Sequence, residues 1–207
     1  MNSSKPLLLA LAAGVSAATL PAPAQLVYDE AVDGDLSDVM SSPTSFGVLA
    51  PGLNSLKATS GGGDLEYVTF TIPNGLSLGS MILAEYDSLD DTAFVAIQSG
   101  TTFTVAPGDA PANVGALLGW THFGSGGSAG TALVGTDILD NLGAGAGAQG
   151  FAPPLGPGDY TLWIQQAGGS STTYQFDLVA VPEPEHAAMA FGALLVGAAA
   201  HRRWRRA

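Results

Sequence analysis

The sequence predicts an all-β fold: a jelly-roll-like β-sandwich with one short helix, flanked by an N-terminal signal peptide and a C-terminal transmembrane helix. Glycine and proline, 28 and 13 of 207 residues, are frequent enough for short strands joined by many turns. Several segments also alternate apolar and polar residues with the two-residue period of half-buried strands. The length allows one domain with a substantial core after both ends are removed.

The N-terminal 24 residues have the three parts of a secretory signal peptide. Lys5 is followed by the apolar run LLLALAAGVSAATL, and Ala22 and Ala24 form an A-x-A cleavage site. We therefore expect a signal peptidase to cut before Gln25. The alternative, a buried N-terminal helix, is disfavoured by the prolines at positions 21 and 23.

The body, residues 25–180, contains about eight candidate strands. In EYVTFTIP the apolar face is Val68, Phe70 and Ile72, and the segments DYTLWIQQ and TYQFDLVAV alternate in the same way. Further candidates are QLVYDEA, SLGSMILAEYD and TAFVAIQSG. Residues 135–143 predict the short helix, with Thr136 as its N-cap and Gly143 as its stop. Residues 107–157 leave the strand order open.

The charge of the body excludes one class of partner. Residues 25–180 contain sixteen acidic residues and a single cation, Lys57, which gives a formal charge of −15. Such a surface repels a phosphate backbone, so we expect no nucleic-acid binding. The chain has no cysteine, which excludes disulfides, thiolate metal sites and a cysteine nucleophile.

Carboxylates are densest in the stretch DEAVDGDLSD, residues 29–38. Its aspartates are Asp29, Asp33, Asp35 and Asp38, and Glu30 lies among them. Carboxylates this close repel one another unless they are solvated or bridged by a cation, and Ca²⁺ prefers several hard oxygen ligands on flexible loops. The four aspartates are thus a candidate Ca²⁺ site, with a solvated acidic turn as the alternative. An EF-hand loop is absent, since Thr44 occupies its twelfth position.

No catalytic constellation is evident, so we do not expect an enzyme. Residues 145–150 satisfy G-x-G-x-x-G, but the prolines that follow prevent the helix that would hold a pyrophosphate. Residues 126–130 fit G-x-S-x-G without a strand before them or a helix after them. His122 is the only histidine of the body, so a zinc site with two or three imidazoles cannot form.

Trp163 falls on the Thr161 and Gln165 face of its strand, opposite the apolar face. An exposed indole there would offer a flat surface for stacking against a sugar ring. The alternative is that a loop covers this face and buries the ring.

The C-terminus combines an apolar run, residues 187–200, with a terminal cluster of arginines at positions Arg202, Arg203, Arg205 and Arg206. As a helix, the run rises about 21 Å, short of the hydrocarbon core of about 30 Å. The arginines would remain on the cytoplasmic side, so the body would face outward. We therefore expect this run to anchor the protein in the inner membrane only transiently.

This tail resembles a known sorting signal. Val181, Pro182, Glu183 and Pro184, the apolar run and the terminal arginines are similar to the PEP-CTERM signal of Gram-negative bacteria. The resemblance implies processing by an exosortase and delivery to the cell surface or exterior, commonly where exopolysaccharide is made. We expect the two prolines to keep the segment extended and unpaired. The resemblance places the sorting signal at residues 181–207; the alternative is a plain C-terminal membrane anchor with a proline-rich linker.

The body also resembles the bacterial pre-peptidase C-terminal-like β-sandwiches, through DLEYVTFTIPNG and PLGPGDYTLWIQQAGG. Domains of that kind are accessory modules of secreted proteins, and some bind calcium or polysaccharide. We therefore expect an exported, non-enzymatic surface or matrix protein associated with exopolysaccharide or biofilm. The alternatives are a secreted polysaccharide-active hydrolase and a calcium-stabilised structural module.

Overall fold

The computed structural model describes residues 25–126 and 131–183, and within them the fold is a two-sheet β-sandwich, as predicted. The strands are β1 (Val27–Asp29), β2 (Thr44–Val48), β3 (Gly52–Ser60), β4 (Leu65–Ile72), β5 (Leu76–Ser88), β6 (Thr92–Ser99), β7 (Gly119–Gly124), β8 (Thr131–Leu133), β9 (Gly158–Gln166) and β10 (Thr172–Pro182). Three short helices are present in these ranges: α1 (Glu30–Asp33), α2 (Ala110–Asn113) and α3 (Leu139–Gly143).

The strands divide into a four-stranded sheet, in the order β1-β3-β10-β5, and a six-stranded sheet, in the order β2-β4-β9-β6-β7-β8. The pairs β1/β3, β2/β4 and β7/β8 are parallel, and the other pairs are antiparallel. The three parallel pairs each involve an edge strand of three to five residues.

The predicted alternation produces the core between the sheets. Val68, Phe70 and Ile72 of β4 are buried, and so are Phe176 and Leu178 of β10 in the other sheet. The rings of Phe176 and Phe123, which come from opposite sheets, lie 4.9 Å apart between centroids in an edge-to-face arrangement. Apolar faces of both sheets are thus removed from water against each other.

The outer face of the six-stranded sheet is also covered. Residues 101–118, which contain α2, cross this face, and a second apolar cluster forms beneath them. That cluster consists of Tyr67, Ala96, Phe103, Val105, Leu117 and Trp163. The prediction of an exposed Trp163 is therefore wrong: the side chain is 2% exposed, and the alternative of a covering loop is the one found.

The helices differ from the sequence prediction. The helix predicted at residues 135–143 begins only at Leu139, because the carboxylate of Asp137 accepts hydrogen bonds from the backbone N–H groups of Leu139 and Met81. Thr136 is not the cap, since its hydroxyl donates to the Leu133 carbonyl. The prediction of a single helix missed α1 and α2, which are only four residues long and carry no helical period that could reveal them.

β10 continues past residue 180, the predicted C-terminal end of the body. Val181 and Pro182 are registered opposite Ser77 and Leu76 of β5, so the expectation that Pro182 cannot pair is wrong. The proline is tolerated because β3, the other neighbour of β10, has already ended opposite Ala180. An N–H group at position 182 would therefore have no strand to bond on that side.

Both predicted terminal segments lie outside the described residues. These are the signal peptide, residues 1–24, and the tail from Pro184 onward, with its apolar run and arginines. Ser128 of the G-x-S-x-G pattern lies outside them as well. Among the residues that the structure describes, none of the helices has the length and hydropathy needed to cross a membrane.

Gly119, at the start of β7, allows α3 to approach the six-stranded sheet. A Cβ at this position would overlap the carbonyl oxygen of Leu142 and lie 3.2 Å from the ring of Phe151. We expect Gly119→Ala to lower the free energy of unfolding by about 1–3 kcal/mol, because backbone rather than a flexible side chain must move. Urea unfolding measures this, and Gly108→Ala, where a Cβ meets open space, should change stability much less. Equal losses of unfolding free energy in both variants would contradict the close approach of α3 to β7 at Gly119.

Candidate functional site

Three carboxylates from separate parts of the chain meet at one end of the sandwich. Glu30, Asp35 and Glu66 each present one carboxylate oxygen, and these oxygens lie within 4.8 Å of one another. We call these three residues the carboxylate cluster. The cluster spans the two sheets, since α1 follows β1 of the four-stranded sheet and Glu66 belongs to β4 of the six-stranded sheet.

Glu66 is the unusual member. It lies two residues before Val68, so it points to the same face of β4 as the apolar residues of the core. Its side chain is fully buried, and neither carboxylate oxygen has a hydrogen-bond partner among the described residues. A buried carboxylate without partners is costly, so this group requires either a proton or a cation.

Glu30 is held in place by backbone donors. Its Oε1 accepts a hydrogen bond from the N–H of Leu36 at 3.1 Å, and its Oε2 accepts one from the N–H of Thr59 at 2.6 Å. These bonds fasten the segment that follows β1 to β3. Each oxygen keeps a further lone pair that can coordinate a metal ion.

Asp35 reaches the cluster because the chain turns after α1. Gly34 adopts a φ of +102°, a conformation that a residue with a side chain rarely takes. The Tyr28 hydroxyl donates to the Gly34 carbonyl at 2.6 Å and stabilises the turn. The Asp35 side chain is exposed, so the cluster is open to solvent on its side.

The electrostatics of the cluster favour a positive partner. Burial, together with repulsion from Glu30, Asp64 and Asp35, raises the pKa of Glu66 to about 9. Burial also raises the pKa of Glu30, against the effect of its two backbone hydrogen bonds. Without a cation, the cluster therefore holds a proton on Glu66 at neutral pH.

A second buried polar group interacts electrostatically with Glu66. The hydroxyl of Tyr174 is buried and has no hydrogen-bond partner in the described part of the chain. Burial, followed by the negative charge of Glu66, raises the pKa of this phenol well above its usual value. The Tyr174 hydroxyl remains a neutral donor, suited to a ligand oxygen or to a water molecule bound by a metal ion.

The predicted calcium ligands are only partly brought together. Of the four aspartates, Asp35 joins the cluster. Asp29 caps α1 through the N–H of Ala31, and Asp33 accepts a hydrogen bond from the backbone N–H of Asp29, so these two carboxylates bond within their own turn. Asp38 is exposed, and partial desolvation together with the charge of Asp64 raises its pKa.

Sequence reasoning did not assign Glu30 and Glu66 to the site. Glu30 belongs to the acidic run, and nothing in the sequence distinguishes it from the neighbouring carboxylates. Its place in the site is evident only from the folded structure. Glu66 had a usable signal, because it is a carboxylate in phase with the apolar residues Val68 and Phe70. A charged residue on the core face of a strand is rarely buried without a partner.

The chain matches no family model, no curated protein and no solved structure. The chemistry of the carboxylate cluster is thus the basis on which a function can be proposed. Three carboxylates supply hard oxygen ligands and no nitrogen or sulfur, a set that suits Ca²⁺ or Mg²⁺ rather than zinc or copper.

Proposed function

We propose that this protein is an exported, non-enzymatic β-sandwich module that binds a Ca²⁺ ion at the carboxylate cluster and is stabilised by it. The observation that carries the proposal is Glu66, a fully buried carboxylate beside Glu30 and Asp35 whose two oxygens have no hydrogen-bond partner in residues 25–126 and 131–183. A divalent cation replaces the proton on Glu66 and removes the repulsion among the three groups.

Calcium is favoured over magnesium by the construction of the cluster. The ligands come from a helix, a turn and a strand, and such a set adapts to the long and variable bonds of Ca²⁺ more readily than to the strict octahedron of Mg²⁺. Asp35 is exposed, so water molecules can complete the coordination from that side. The charge of −15 on residues 25–180 also concentrates divalent cations near the protein.

Binding would stabilise the attachment of the N-terminal segment. Among the described residues, β1 is only three residues long and pairs with β3 alone. The segment that follows contacts the sheets through the bond from the Thr59 N–H to Glu30 and through an isolated bridge between Ser37 and Tyr67 of β4. An ion shared by Glu30, Asp35 and Glu66 would add a further link between this segment and β4. Calcium thus acts as a crosslink between the two sheets at this end of the sandwich.

The strand order supports the finer proposal that the sandwich is a jelly roll. β3, β4, β5 and β6 alternate between the two sheets; β10 then lies between β3 and β5, and β9 lies between β4 and β6. Residues 135–138 add backbone hydrogen bonds along the outer edge of β5. Two interleaved Greek keys produce this arrangement.

The remaining parts of the proposal rest on the terminal sequences. We propose that a signal peptidase removes residues 1–24 and that an exosortase processes residues 181–207 after a transient stay in the inner membrane. The module would then reach the surface or exterior of a Gram-negative cell and associate with exopolysaccharide or biofilm. A dissociation constant of about 0.1–1 mM, typical of extracellular calcium modules, would give substantial occupancy at millimolar Ca²⁺.

The carboxylate cluster suits a structural ion better than hydrolysis. A polysaccharide hydrolase places its two carboxyl groups on either side of a glycosidic bond, where both must touch the substrate. Glu66 is fully buried between the sheets, so a sugar cannot reach it. This geometry disfavours the hydrolase alternative at this site.

A thermal melt of the full-length protein in EDTA and in millimolar Ca²⁺ tests the proposal. At a calcium concentration one hundred times the dissociation constant, we expect about 2.7 kcal/mol of stabilisation, a rise in Tm of roughly 5–10 °C. The rise should disappear in Asp35→Asn and Glu66→Gln but persist in Asp33→Asn, a matched control from the same acidic run. No rise in the parent protein, or an equal loss in Asp33→Asn, would refute the assignment.

A further inference from the structure

A cavity of about 380 Å³ lies on the outer face of the six-stranded sheet, within the size range of small-molecule sites. Its walls come from the sheet and from the covering segments. Phe94, Trp120 and Trp163 form aromatic walls, and Leu117 and Pro111 close the other side. This aromatic cavity is separate from the carboxylate cluster, none of whose residues line it.

The aromatic walls are held rigidly. The rings of Phe94 and Trp163 pack edge to face with centroids 4.8 Å apart, and Phe94 also stacks against Trp120 at 6.0 Å. The indole N–H of Trp120 donates to the Ala146 carbonyl at 3.0 Å, which fixes the plane of that ring. A ligand would thus meet flat aromatic faces that are ordered before it binds.

The polar group of the wall that a ligand can reach is the side-chain amide of Gln165. Gln165 is half-buried and lines the cavity, and its amide has both donor and acceptor capacity. Trp163 contributes its ring to the wall, but its indole nitrogen is buried and out of reach of a ligand.

The cavity has no charged side chain among its lining residues. The body around it carries a formal charge of −15, which repels anionic ligands at long range. The ligand chemistry that fits is therefore neutral, with flat apolar faces and hydrogen-bonding groups at its edges.

We propose that this cavity binds a neutral sugar residue. The C–H face of a pyranose ring packs against Trp120 and Phe94, while ring hydroxyls donate to and accept from the side-chain amide of Gln165. A purely apolar ligand of the same size would leave the amide of Gln165 unpaired and more deeply buried. This sugar site is additional to the proposed Ca²⁺ site at the carboxylate cluster, and sugar binding does not depend on a bound Ca²⁺ ion.

Titration of the full-length protein with neutral sugars tests this inference. The probes are glucose, galactose, N-acetylglucosamine and cellobiose, with cyclohexanol as an apolar probe of similar size, each followed by saturation-transfer NMR. We expect at least one sugar to bind with a dissociation constant of about 1 mM or below. EDTA should not abolish this binding, which separates the result from that of the calcium proposal.

Two variants locate the binding in the cavity. Trp120→Leu removes a flat aromatic face, and Gln165→Leu keeps the approximate size but removes the amide. Each should weaken sugar binding roughly 5- to 20-fold, the effect of losing one stacking face or one hydrogen bond. Gln175→Leu, on β10 of the other sheet, is the matched control and should leave the affinity unchanged. Gln165→Leu keeps the test informative if Trp120→Leu fails to fold.

Three results would overturn the inference. The first is that none of the sugars binds at concentrations up to about 50 mM, well above the expected dissociation constant. The second is that a sugar binds with the same affinity to both cavity variants. The third is that cyclohexanol binds in the cavity while all sugars fail, which would make it an apolar site.

Discussion

Replacing Glu66 with glutamine is expected to stabilise the metal-free protein at pH 8 and, at the same time, to abolish its response to Ca²⁺. Without an ion, the fold must keep Glu66 protonated although the unfolded chain ionises it freely. Glutamine has a similar shape and requires no proton. We expect a gain of roughly 2–4 kcal/mol in EDTA, measured by urea unfolding at pH 8.

The opposite signs of the two effects make this prediction specific. A residue that only filled space would lose stability on substitution in EDTA and in Ca²⁺ alike. Asp87→Asn, which removes an exposed carboxylate of β5, should change stability by less than about 0.5 kcal/mol in either condition. A Glu66→Gln protein that is less stable in EDTA and still responds to Ca²⁺ would contradict the assignment of the carboxylate cluster as a Ca²⁺ site.

The pH dependence of the metal-free protein follows from the same group. An acid with a higher pKa in the folded state contributes most stability below its unfolded pKa, and this contribution is lost as the pH rises through its folded pKa. For Glu66 the window runs from about 4.5 to about 9. The urea midpoint in EDTA should fall from pH 5 to pH 9, and Glu66→Gln should flatten that slope. Equal slopes in the two proteins would show that Glu66 does not titrate in this window.

Replacing Phe176 with alanine is expected to cost about 3–5 kcal/mol of stability, the usual effect of deleting a large aromatic side chain from a core. Phe176 is fully buried on β10 and packs against Phe123 of the opposite sheet and against Tyr174, with centroids 4.9 and 5.2 Å apart. Its removal leaves a cavity between the sheets that the paired strands cannot close. Chemical denaturation at fixed calcium measures the loss.

The matched control for this deletion is Leu89→Ala, because Leu89 is 94% exposed between β5 and β6. It should change stability by less than about 0.5 kcal/mol. A loss for Phe176→Ala below about 1 kcal/mol would mean that the ring contacts between the sheets contribute little to stability, contrary to the packing described above.

The carboxylate cluster shows how far the sequence alone could lead to a site. The acidic run, residues 29–38, predicted a cation site in the correct region of the chain, and its candidate ligands included Asp35. The sequence could not separate Asp35 from Asp29 and Asp33, because that distinction depends on the local turn in which the latter two bond to backbone N–H groups. Nor could it connect Asp35 with Glu66, which is distant along the chain.

By itself, the sequence determined that this protein is built of β-strands with one apolar face each, because a two-residue alternation of apolar and polar side chains is a local property that each strand carries independently. The apolar faces of EYVTFTIP and TYQFDLVAV therefore point to the core as predicted, with Val68, Phe70 and Ile72 on the first and Tyr174, Phe176 and Leu178 on the second. Only the tertiary structure decided where Glu66 and Trp163 lie. The burial of Glu66 depends on the approach of Glu30 and Asp35, and that of Trp163 on residues 101–118, so both are products of long-range packing that no local period encodes.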